Sequence, residues 1–257
     1  MNLELNNKQV LITGASRGIG LAIAETFLQE NAKTILVSRG SKALFDNEKI
    51  LQQEYGEKNV FAKKCDCTNL EELELLKEYV ESEWQGLNIV VVNVGDGRSV
   101  SDALPDNDEW NKCWNSNFES ALQTARVFLP MLEKSKGVLL FISSIAGIEA
   151  FGAPTNYSTA KSAIIALSKN MARKLAPNIR VNVIAPGNVY FEGGSWDEKI
   201  KQDKIRVDEI IKLTVPMNRL ATPKEIAYTS VFVCSNKASF ITGSTIVVDG
   251  GQTIGVF

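Results

Sequence analysis

The sequence predicts an α/β protein built on one doubly wound parallel sheet of about seven strands, with helices on both faces. Short segments rich in Val, Ile and Leu alternate with helix-patterned stretches along the whole chain. The strand candidates are continuously apolar instead of alternating, which is typical of parallel strands covered on both faces. A chain of 257 residues suits a single domain with a large core, residues 1–257.

Seven segments are predicted as strands because they are short and rich in Val, Ile and Leu. They are Val10–Thr13, Ile35–Val37, Val60–Lys63, Ile89–Val92, Val138–Ser143, Val181–Ile184 and Thr245–Val248. Helical patterns lie near residues 19–30, 42–55, 69–84, 107–133, 155–175 and 223–235. Strands and helices that alternate in this way build a Rossmann-like domain.

Composition argues against several classes of protein. The formal net charge of −2 gives no electrostatic reason to expect nucleic acid or an anionic membrane as a partner. The first residues lack the basic and apolar regions of a signal peptide, and no apolar run approaches the roughly 20 residues of a membrane span. We therefore expect a cytoplasmic protein with no membrane or nucleic-acid partner.

The chain has no histidine and four cysteines. The lack of histidine removes Ser-His-Asp and Cys-His nucleophile systems and the common zinc-hydrolase ligand sets. Cys65 and Cys67 form a C-x-C sequence without a second pair, so we expect reduced structural thiols and no metal. Proton transfer near neutral pH must then use Tyr, Lys, Cys or a carboxylate.

A glycine-rich turn follows the first predicted strand. It reads Thr13-Gly14-Ala15-Ser16-Arg17-Gly18-Ile19-Gly20, with the spacing G-x-x-x-G-x-G, and leads into an amphipathic helix. Glycines let backbone N–H groups approach a pyrophosphate, which the helix N-terminus then stabilises. By itself the turn leaves open a strand-to-helix connection that binds no ligand.

A second motif pairs Tyr157 with Lys161. Residues four apart on a helix share a face, and a nearby cation lowers a tyrosine pKa towards working pH. Of the five tyrosines, only Tyr157 has a lysine four residues later. This spacing is also common on solvated helix faces, but the surrounding helix is mostly small or apolar. We therefore expect Lys161 to lie away from solvent.

These two motifs, in this order and at this separation, resemble the short-chain dehydrogenase/reductase family, and its 3-oxoacyl-carrier-protein-reductase-like members in particular. The resemblance covers essentially the whole chain. Ser144 lies thirteen residues before Tyr157, as in the family's serine turn. The other matching segments are Asn93-Val94-Gly95, Trp110 with Asn117 seven residues later, Pro186-Gly187, and Val248-Asp249-Gly250-Gly251.

The resemblance implies a catalytic role for four residues. Tyr157 would exchange a proton with the substrate oxygen, and Lys161 would lower the pKa of Tyr157 and bind the nicotinamide ribose. Ser144 would orient the substrate oxygen, and Asn117 would hold a water in a proton relay to Lys161. A helix cap and a buried amide are the structural alternatives for Ser144 and Asn117. The cofactor itself would supply the hydride.

Cofactor choice depends on the end of the second strand. NAD-preferring members of the family carry an acidic residue where this chain has Ser38, followed by Arg39. Arg17 and Arg39 could hold a 2′-phosphate by charge-assisted hydrogen bonds, which favours NADP(H) over NAD(H). The remaining expected cofactor contacts are Gly14, Ser16, Gly18, Ile19, Gly20, Asp66, Cys67, Asn93, Gly95, Pro186, Gly187 and Val189.

The segment after Pro186-Gly187 departs from the family pattern. Phe191 replaces a threonine that often contacts the nicotinamide amide, and Trp196 follows a flexible glycine pair. We expect Phe191 and Trp196 to contact substrate from a loop or lid at about 188–215. A surface loop anchored by the tryptophan is the alternative.

Three interpretations of the function remain open. The leading one is a carbonyl reductase or alcohol dehydrogenase, acting on a 3-oxoacyl substrate or on a sugar or polysaccharide precursor. A non-catalytic nucleotide-binding sensor typically loses the tyrosine or lysine, which this chain keeps. Nucleotide-sugar epimerases and dehydratases have a longer C-terminal domain and different glycine spacing. The resemblance also implies a homotetramer, or at least a dimer, paired through the helices near 107–133 and 155–175 and the last strand.

Overall fold

A computed structural model describes residues 1–40, 42–84 and 86–256. Within those residues seven strands pair in parallel, in the order β3-β2-β1-β4-β5-β6-β7. The strands are β1 (Gln9–Thr13), β2 (Lys33–Ser38), β3 (Val60–Lys64), β4 (Ile89–Val92), β5 (Val138–Ile142), β6 (Arg180–Pro186) and β7 (Thr245–Val248). The strand order reverses between β1 and β4, where doubly wound sheets place their ligands. The predicted fold class is confirmed.

Helices connect the strands and cover both faces of the sheet. They are α1 (Gly18–Gln29), α2 (Lys42–Tyr55), α3 (Leu70–Glu83), α4 (Asn107–Trp114), α5 (Ser120–Ser135), α6 (Thr155–Leu175), α7 (Ser195–Gln202), α8 (Lys204–Thr214) and α9 (Pro223–Cys234). Among the described residues, the structure has no helix that combines the length and the apolar character needed to cross a membrane.

The sheet separates two apolar layers, and consecutive residues of a strand enter opposite layers. Val10 and Ile12 of β1 pack into the layer formed with α1 and α9, while Leu11 packs into the layer formed with α3, α5 and α6. All three side chains are fully buried. The continuous apolar sequence of β1 is therefore explained by burial on both faces of the sheet, as predicted.

The helix predicted over 107–133 is not continuous. A π-helical turn at Asn115–Glu119 separates α4 from α5. Its position coincides with Asn117, whose side-chain amide donates to the Cys113 carbonyl oxygen at 3.0 Å. Turns of this kind occur at functional sites because they displace one side chain from the regular helical register. A 3.6-residue apolar pattern continues across such a turn, so the sequence did not reveal it.

The segment predicted as a loop or lid at 188–215 is largely helical. After an irregular stretch at 187–194 it forms α7 and α8. Asp203 caps α8 by accepting from the Arg206 N–H at 3.0 Å. Ion pairs with helical spacing join Asp197 to Lys201 and Lys204 to Asp208. The two helices are short and highly charged, which is why their apolar periodicity was too sparse to predict them.

Candidate active site

A cavity of about 890 Å³ lies at the carboxyl ends of the strands. Each of the first six strands contributes a residue at or just beyond its last position: Gly14, Ser38, Cys65, Asn93, Ser143 and Pro186. The cavity therefore spans the reversal of strand order between β1 and β4, the position at which doubly wound folds bind nucleotides.

The glycine turn after β1 requires glycine at several positions. Gly14 and Gly18 have φ angles of +65° and +59°, in the left-handed region that favours glycine. A β-carbon at Gly20 would lie 2.4 Å from the Gly14 carbonyl oxygen. The Asn93 amide donates to the carbonyl oxygens of Thr13 and Gly14 at 3.2 Å each. The turn is thus held close to β4, with the N-terminus of α1 at the cavity.

Two of the three residues expected to select the cofactor lie together at the end of β2. The Ser38 hydroxyl donates to the Ser16 hydroxyl at 3.1 Å, and Arg39 is exposed beside them on the cavity wall. Arg17 also lines the cavity, but its guanidinium donates to the Gly193 carbonyl oxygen at 2.9 Å. Arg17 therefore contacts the segment before α7 instead of the end of β2.

Asp66 does not line the cavity, although it was expected to contact the cofactor. One carboxylate oxygen accepts from the Thr68 backbone N–H at 3.0 Å and from its hydroxyl at 2.8 Å. Cys65 and Cys67, on either side, do line the cavity. Both cysteines are free and buried, as expected for structural thiols.

Tyr157 and Ser144 lie together on the cavity wall. Ser144 follows β5 directly and caps a short 3-10 turn, where its hydroxyl accepts from the Ala146 N–H at 3.1 Å. The same side chain lies close enough to Tyr157 to lower its pKa, and a β-carbon at Gly97 would lie 3.7 Å from the Tyr157 Cζ. The helix-cap alternative for Ser144 is thus present, and its hydroxyl also lies at the cavity beside Tyr157.

Lys161 is buried behind Tyr157, as the apolar helix predicted. Its Nζ donates to the Ile142 carbonyl oxygen at 3.3 Å and lies 5.7 Å from the centre of the Tyr157 ring. A β-carbon at Gly95 would lie 2.7 Å from this Nζ. Glycine at position 95 therefore leaves the room that the lysine side chain needs.

Burial dominates the acid–base properties of this pair. It raises the pKa of the Tyr157 hydroxyl, and the nearby Ser144 side chain opposes that rise. Burial also lowers the pKa of Lys161 to about 8. The expectation that Lys161 lowers the pKa of Tyr157 stays a prediction, since burial dominates that pKa here and the lysine Nζ lies 5.7 Å from the centre of the ring. Tyr157 holds its proton at neutral pH.

The side chain of Asn117 is fully buried and paired with backbone groups. Its oxygen accepts from the Asp96 N–H at 3.0 Å, and its amide nitrogen donates to the Asp96 carbonyl oxygen at 3.0 Å. It therefore holds the chain after β4 in place. A β-carbon at Gly95 would lie 2.8 Å from the Asn117 oxygen, so this amide also lies close to Lys161.

Two contacts that the sequence did not predict fix the serine turn to α6. The Ser143 hydroxyl donates to the Lys161 carbonyl oxygen at 2.8 Å. The Ser162 hydroxyl donates to the Gly147 carbonyl oxygen at 2.7 Å. They hold the turn that carries Ser144 against the helix that carries Tyr157. The adjacent serines at positions 143 and 144 were the only feature of the sequence that could have indicated the first of these contacts.

Phe191 and Trp196 occupy different parts of the cavity wall. A β-carbon at Gly18 would lie 2.9 Å from Phe191 Cζ, so this ring lies against the glycine turn. Trp196 lines the cavity from α7 and also packs on the small apolar cluster of Val207, Ile211 and Val215. Trp196 therefore anchors the helix pair as well as facing the cavity.

Arg98 joins the chain after β4 to α7. Its guanidinium donates to both carboxylate oxygens of Glu198, at 3.0 and 2.7 Å, and to the Gly193 carbonyl oxygen at 3.1 Å. Arg17 donates to the same carbonyl from the glycine turn. We call these contacts of Arg17, Arg98, Gly193 and Glu198 the α7 latch. It joins the start of α7, which lines the cavity, to the glycine turn and to the chain after β4.

The geometry of the cavity is suited to a bound dinucleotide. Gly14 and Gly18 have positive φ angles, and Gly20 lies against Gly14 with no side chain between them. The backbone N–H groups at the N-terminus of α1 are therefore accessible, and such a helix N-terminus favours bound phosphate. The other end presents Ser144 and Tyr157 to the cavity. Fold and site together define a dinucleotide-dependent enzyme.

Comparison with known proteins agrees with this class. The sequence model described as enoyl-(acyl carrier protein) reductase matches residues 14–253. The 3-oxoacyl-(acyl-carrier-protein) reductase of Chlamydia muridarum is 34% identical over 259 residues, covering 98% of this chain and 100% of the relative. The chain belongs to the short-chain dehydrogenase/reductase family.

Solved structures of the family superpose closely on this one. L-sorbose reductase from Gluconobacter frateurii, complexed with NADPH and L-sorbose, has a TM-score of 0.93 at 29% identity, covering 100% of both chains. A 7α-hydroxysteroid dehydrogenase complexed with NADH and 7-oxo glycochenodeoxycholic acid has a TM-score of 0.88 at 31% identity, covering 99% of this chain and 98% of the other. The enzyme is therefore a short-chain dehydrogenase/reductase that uses a nicotinamide cofactor.

Proposed function

We propose that this enzyme transfers a hydride between the nicotinamide cofactor and a carbonyl or alcohol carbon, with Tyr157 as the general acid/base. The observation that carries the proposal is that the side chains of Tyr157 and Ser144 both line the same cavity, with Ser144 close enough to lower the pKa of Tyr157 against the effect of burial. Two hydroxyls side by side can hold one substrate oxygen between them. Because burial keeps Tyr157 protonated, its hydroxyl can donate a proton to that oxygen during carbonyl reduction.

The other residues of the site support this proton transfer. When bound, the nicotinamide supplies the hydride in reduction and accepts it in oxidation. The glycine turn and the N-terminus of α1 would hold the pyrophosphate, and Lys161 would meet the ribose. Ser144 orients the substrate oxygen towards Tyr157, and Asn117 fixes the chain that passes beside Lys161. A protein that only binds the nucleotide as a sensor would not need the hydroxyls of Tyr157 and Ser144 at the cavity.

Tyr157→Phe tests the catalytic assignment. The variant loses the proton donor, so turnover should fall about 100- to 10,000-fold, while NADPH binding stays nearly unchanged. Turnover is followed through NADPH absorbance with ketoacyl thioesters, keto-sugars, steroid ketones, simple ketones and an enoyl thioester. Tyr228→Phe, on an exposed tyrosine of α9, is the matched control. Wild-type turnover in Tyr157→Phe would refute the assignment.

We also propose that the enzyme prefers NADP(H) to NAD(H). Support comes from Ser38, which leaves no carboxylate to repel a 2′-phosphate, and from Arg39, which is exposed beside it. Arg17 could add to this site only by leaving the α7 latch. Arg39 therefore carries the larger part of the proposed preference.

Ser38→Asp combined with Arg39→Ala should reverse this preference. The carboxylate can accept from the ribose hydroxyls and repels the phosphate, while one charge-assisted contact is lost. Such a contact contributes roughly 1.5–3 kcal/mol, so NADPH binding should weaken by about tenfold or more and NADH binding much less. Titration of both nucleotides into wild type and variant measures this. Equal affinity of the wild type for both would contradict the proposed preference.

A further inference from the structure

Gln252 is held at the cavity by a rigidly bound C-terminal segment. The Asp249 carboxylate accepts from the backbone N–H groups of Gly251 and Thr253 at 2.8 and 2.7 Å. The Glu149 carboxylate accepts from the Ile254 N–H at 3.1 Å. The backbone is thus fixed on both sides of Gln252, whose side chain lines the cavity and is only 8% exposed.

Neighbouring contacts place Gln252 beside the turn that follows β6 and the chain that follows α8. A β-carbon at Gly187 would lie 2.8 Å from the Asp249 Cα, so the segment lies against the turn that follows β6. The Met217 N–H donates to the Gly250 carbonyl oxygen at 3.1 Å, just beyond the end of α8. Gln252 therefore lies between that turn and α8, and not at the end marked by Ser38 and Arg39.

The amide of Gln252 has an unmet hydrogen-bonding requirement. Its oxygen is fully buried and has no partner among the described residues. Buried polar groups in native proteins nearly always have a partner, because leaving them unpaired costs stability. The last torsion of a glutamine side chain is soft, so the amide can turn its oxygen towards a donor in the cavity. The missing partner is a hydrogen-bond donor.

We propose that Gln252 is a specificity-determining residue that binds a hydroxyl group next to the reacting carbonyl of the substrate. This inference rests on the proposed function and assigns hydroxyketones, with the corresponding diols in oxidation, as the substrate class. A hydroxyl both donates and accepts, as a primary amide does. A carboxylate offers no donor to the amide oxygen, and neither does an alkyl chain or the thioester carbonyl beside a 3-oxo group.

Gln252→Met tests the proposal by removing the amide at similar side-chain volume. The probes are hydroxyacetone and butanone, which differ by a hydroxyl in place of a methyl group, and pyruvate, which carries a carboxylate. The wild type should show a kcat/KM for hydroxyacetone at least about tenfold above that for butanone, as expected for one buried hydrogen bond. Gln252→Met should lose most of that preference and keep its kcat/KM for butanone.

The melting temperature separates this role from a structural one. Replacing an unpaired buried amide by an apolar side chain should leave the melting temperature of the cofactor-free protein unchanged or raise it. A structural role would lower it and reduce activity on both ketones equally. Gln53→Met, on an exposed face of α2, is the matched control and should change neither measurement.

The kinetic comparison of wild type and Gln252→Met has further outcomes that would overturn the proposal. An unchanged hydroxyacetone preference in Gln252→Met would show that the amide binds only water, and would overturn the proposal. A wild-type preference for pyruvate or butanone would also overturn the substrate class. If the wild type turns over ketoacyl thioesters but not hydroxyketones, the proposed oxidoreductase function stands and this inference fails. If no carbonyl compound is turned over, the proposed function fails with it.

Discussion

Burial of Lys161 links the stability of the enzyme to pH. The pKa of this lysine is lowered from 10.5 to about 8 in the folded protein, because burial disfavours its charged form. Between those two values the unfolded chain keeps a proton that the folded chain has released. The free energy of unfolding therefore rises with pH across this window, as the folded state ceases to carry a buried charge.

We expect Lys161→Met to remove this pH dependence. The cost of burying the ammonium, about 3 kcal/mol for such a shift, is present below pH 8. The variant should therefore be more stable than the wild type at pH 7 by up to that amount and lose most of the advantage near pH 10. Urea unfolding of the cofactor-free proteins at both pH values measures the difference.

Lys174→Met is the control for that experiment, since Lys174 lies on the same helix and is exposed. Its stability relative to wild type should be the same at both pH values. If the difference between Lys161→Met and wild type is also independent of pH, burial does not control the protonation of Lys161.

At the scale of the helices, the α7 latch determines how the cavity is covered. Glu198 and Arg98 are both partly exposed, with side-chain exposures of 48% and 38%. The hydrogen bond from Arg98 lowers the pKa of Glu198. Partly exposed pairs of this kind contribute little to global stability. They can still shift the balance between open and closed positions of a short helix such as α7.

Arg98→Ala should therefore affect substrate binding more than stability. We expect the KM for the carbonyl substrate to rise by about fivefold, which corresponds to the upper range for an exposed ion pair, with the melting temperature nearly unchanged. Steady-state kinetics on wild type and variant give the values.

Exchanging the charges of Arg98 and Glu198 distinguishes loss of this ion pair from a general disturbance of the structure near Gly193. The double variant Arg98→Glu with Glu198→Arg should recover part of the loss that either single variant shows. Lys204→Ala, which breaks an ion pair within α8, should leave KM unchanged. Failure of the double variant to recover any function would mean that the ion pair does not hold α7.

At the scale of the whole molecule, one side of the sheet presents unusual apolar surface. Strand β7 is the last strand in the sheet order. Val247 on this strand is 39% exposed, and Phe240 just before it is fully exposed. An uncovered edge strand beside exposed apolar side chains is typical of an interface between subunits.

We expect light scattering to show a tetramer, or at least a dimer, at micromolar concentration. Phe240→Asp should shift the population towards smaller species, because it places a charge in the expected interface. Ile50→Asp, on exposed α2 at the other end of the molecule, should not. A monomeric wild type would contradict the expected pairing.

Local sequence patterns were sufficient for much of this molecule. Short apolar runs predicted all seven strands of the described residues, and for central strands such as β1, β4 and β5 the reason is that a strand buried on both faces has no polar side. The glycine spacing predicted the turn after β1, and the four-residue interval predicted that Tyr157 and Lys161 share a helix face. Each of these features depends only on residues that are close together in the sequence.

Contacts between distant parts of the chain decided the rest. The hydrogen bond from Arg17 to the Gly193 carbonyl oxygen joins residues 176 positions apart in the sequence. The ion pair of Arg98 and Glu198 joins residues 100 positions apart. The raised pKa of Tyr157 and the unpaired amide of Gln252 depend on how completely other segments enclose them. Sequence spacing determines which side chains share a face, whereas burial and partners are set only when the helices and the C-terminal segment pack around the sheet.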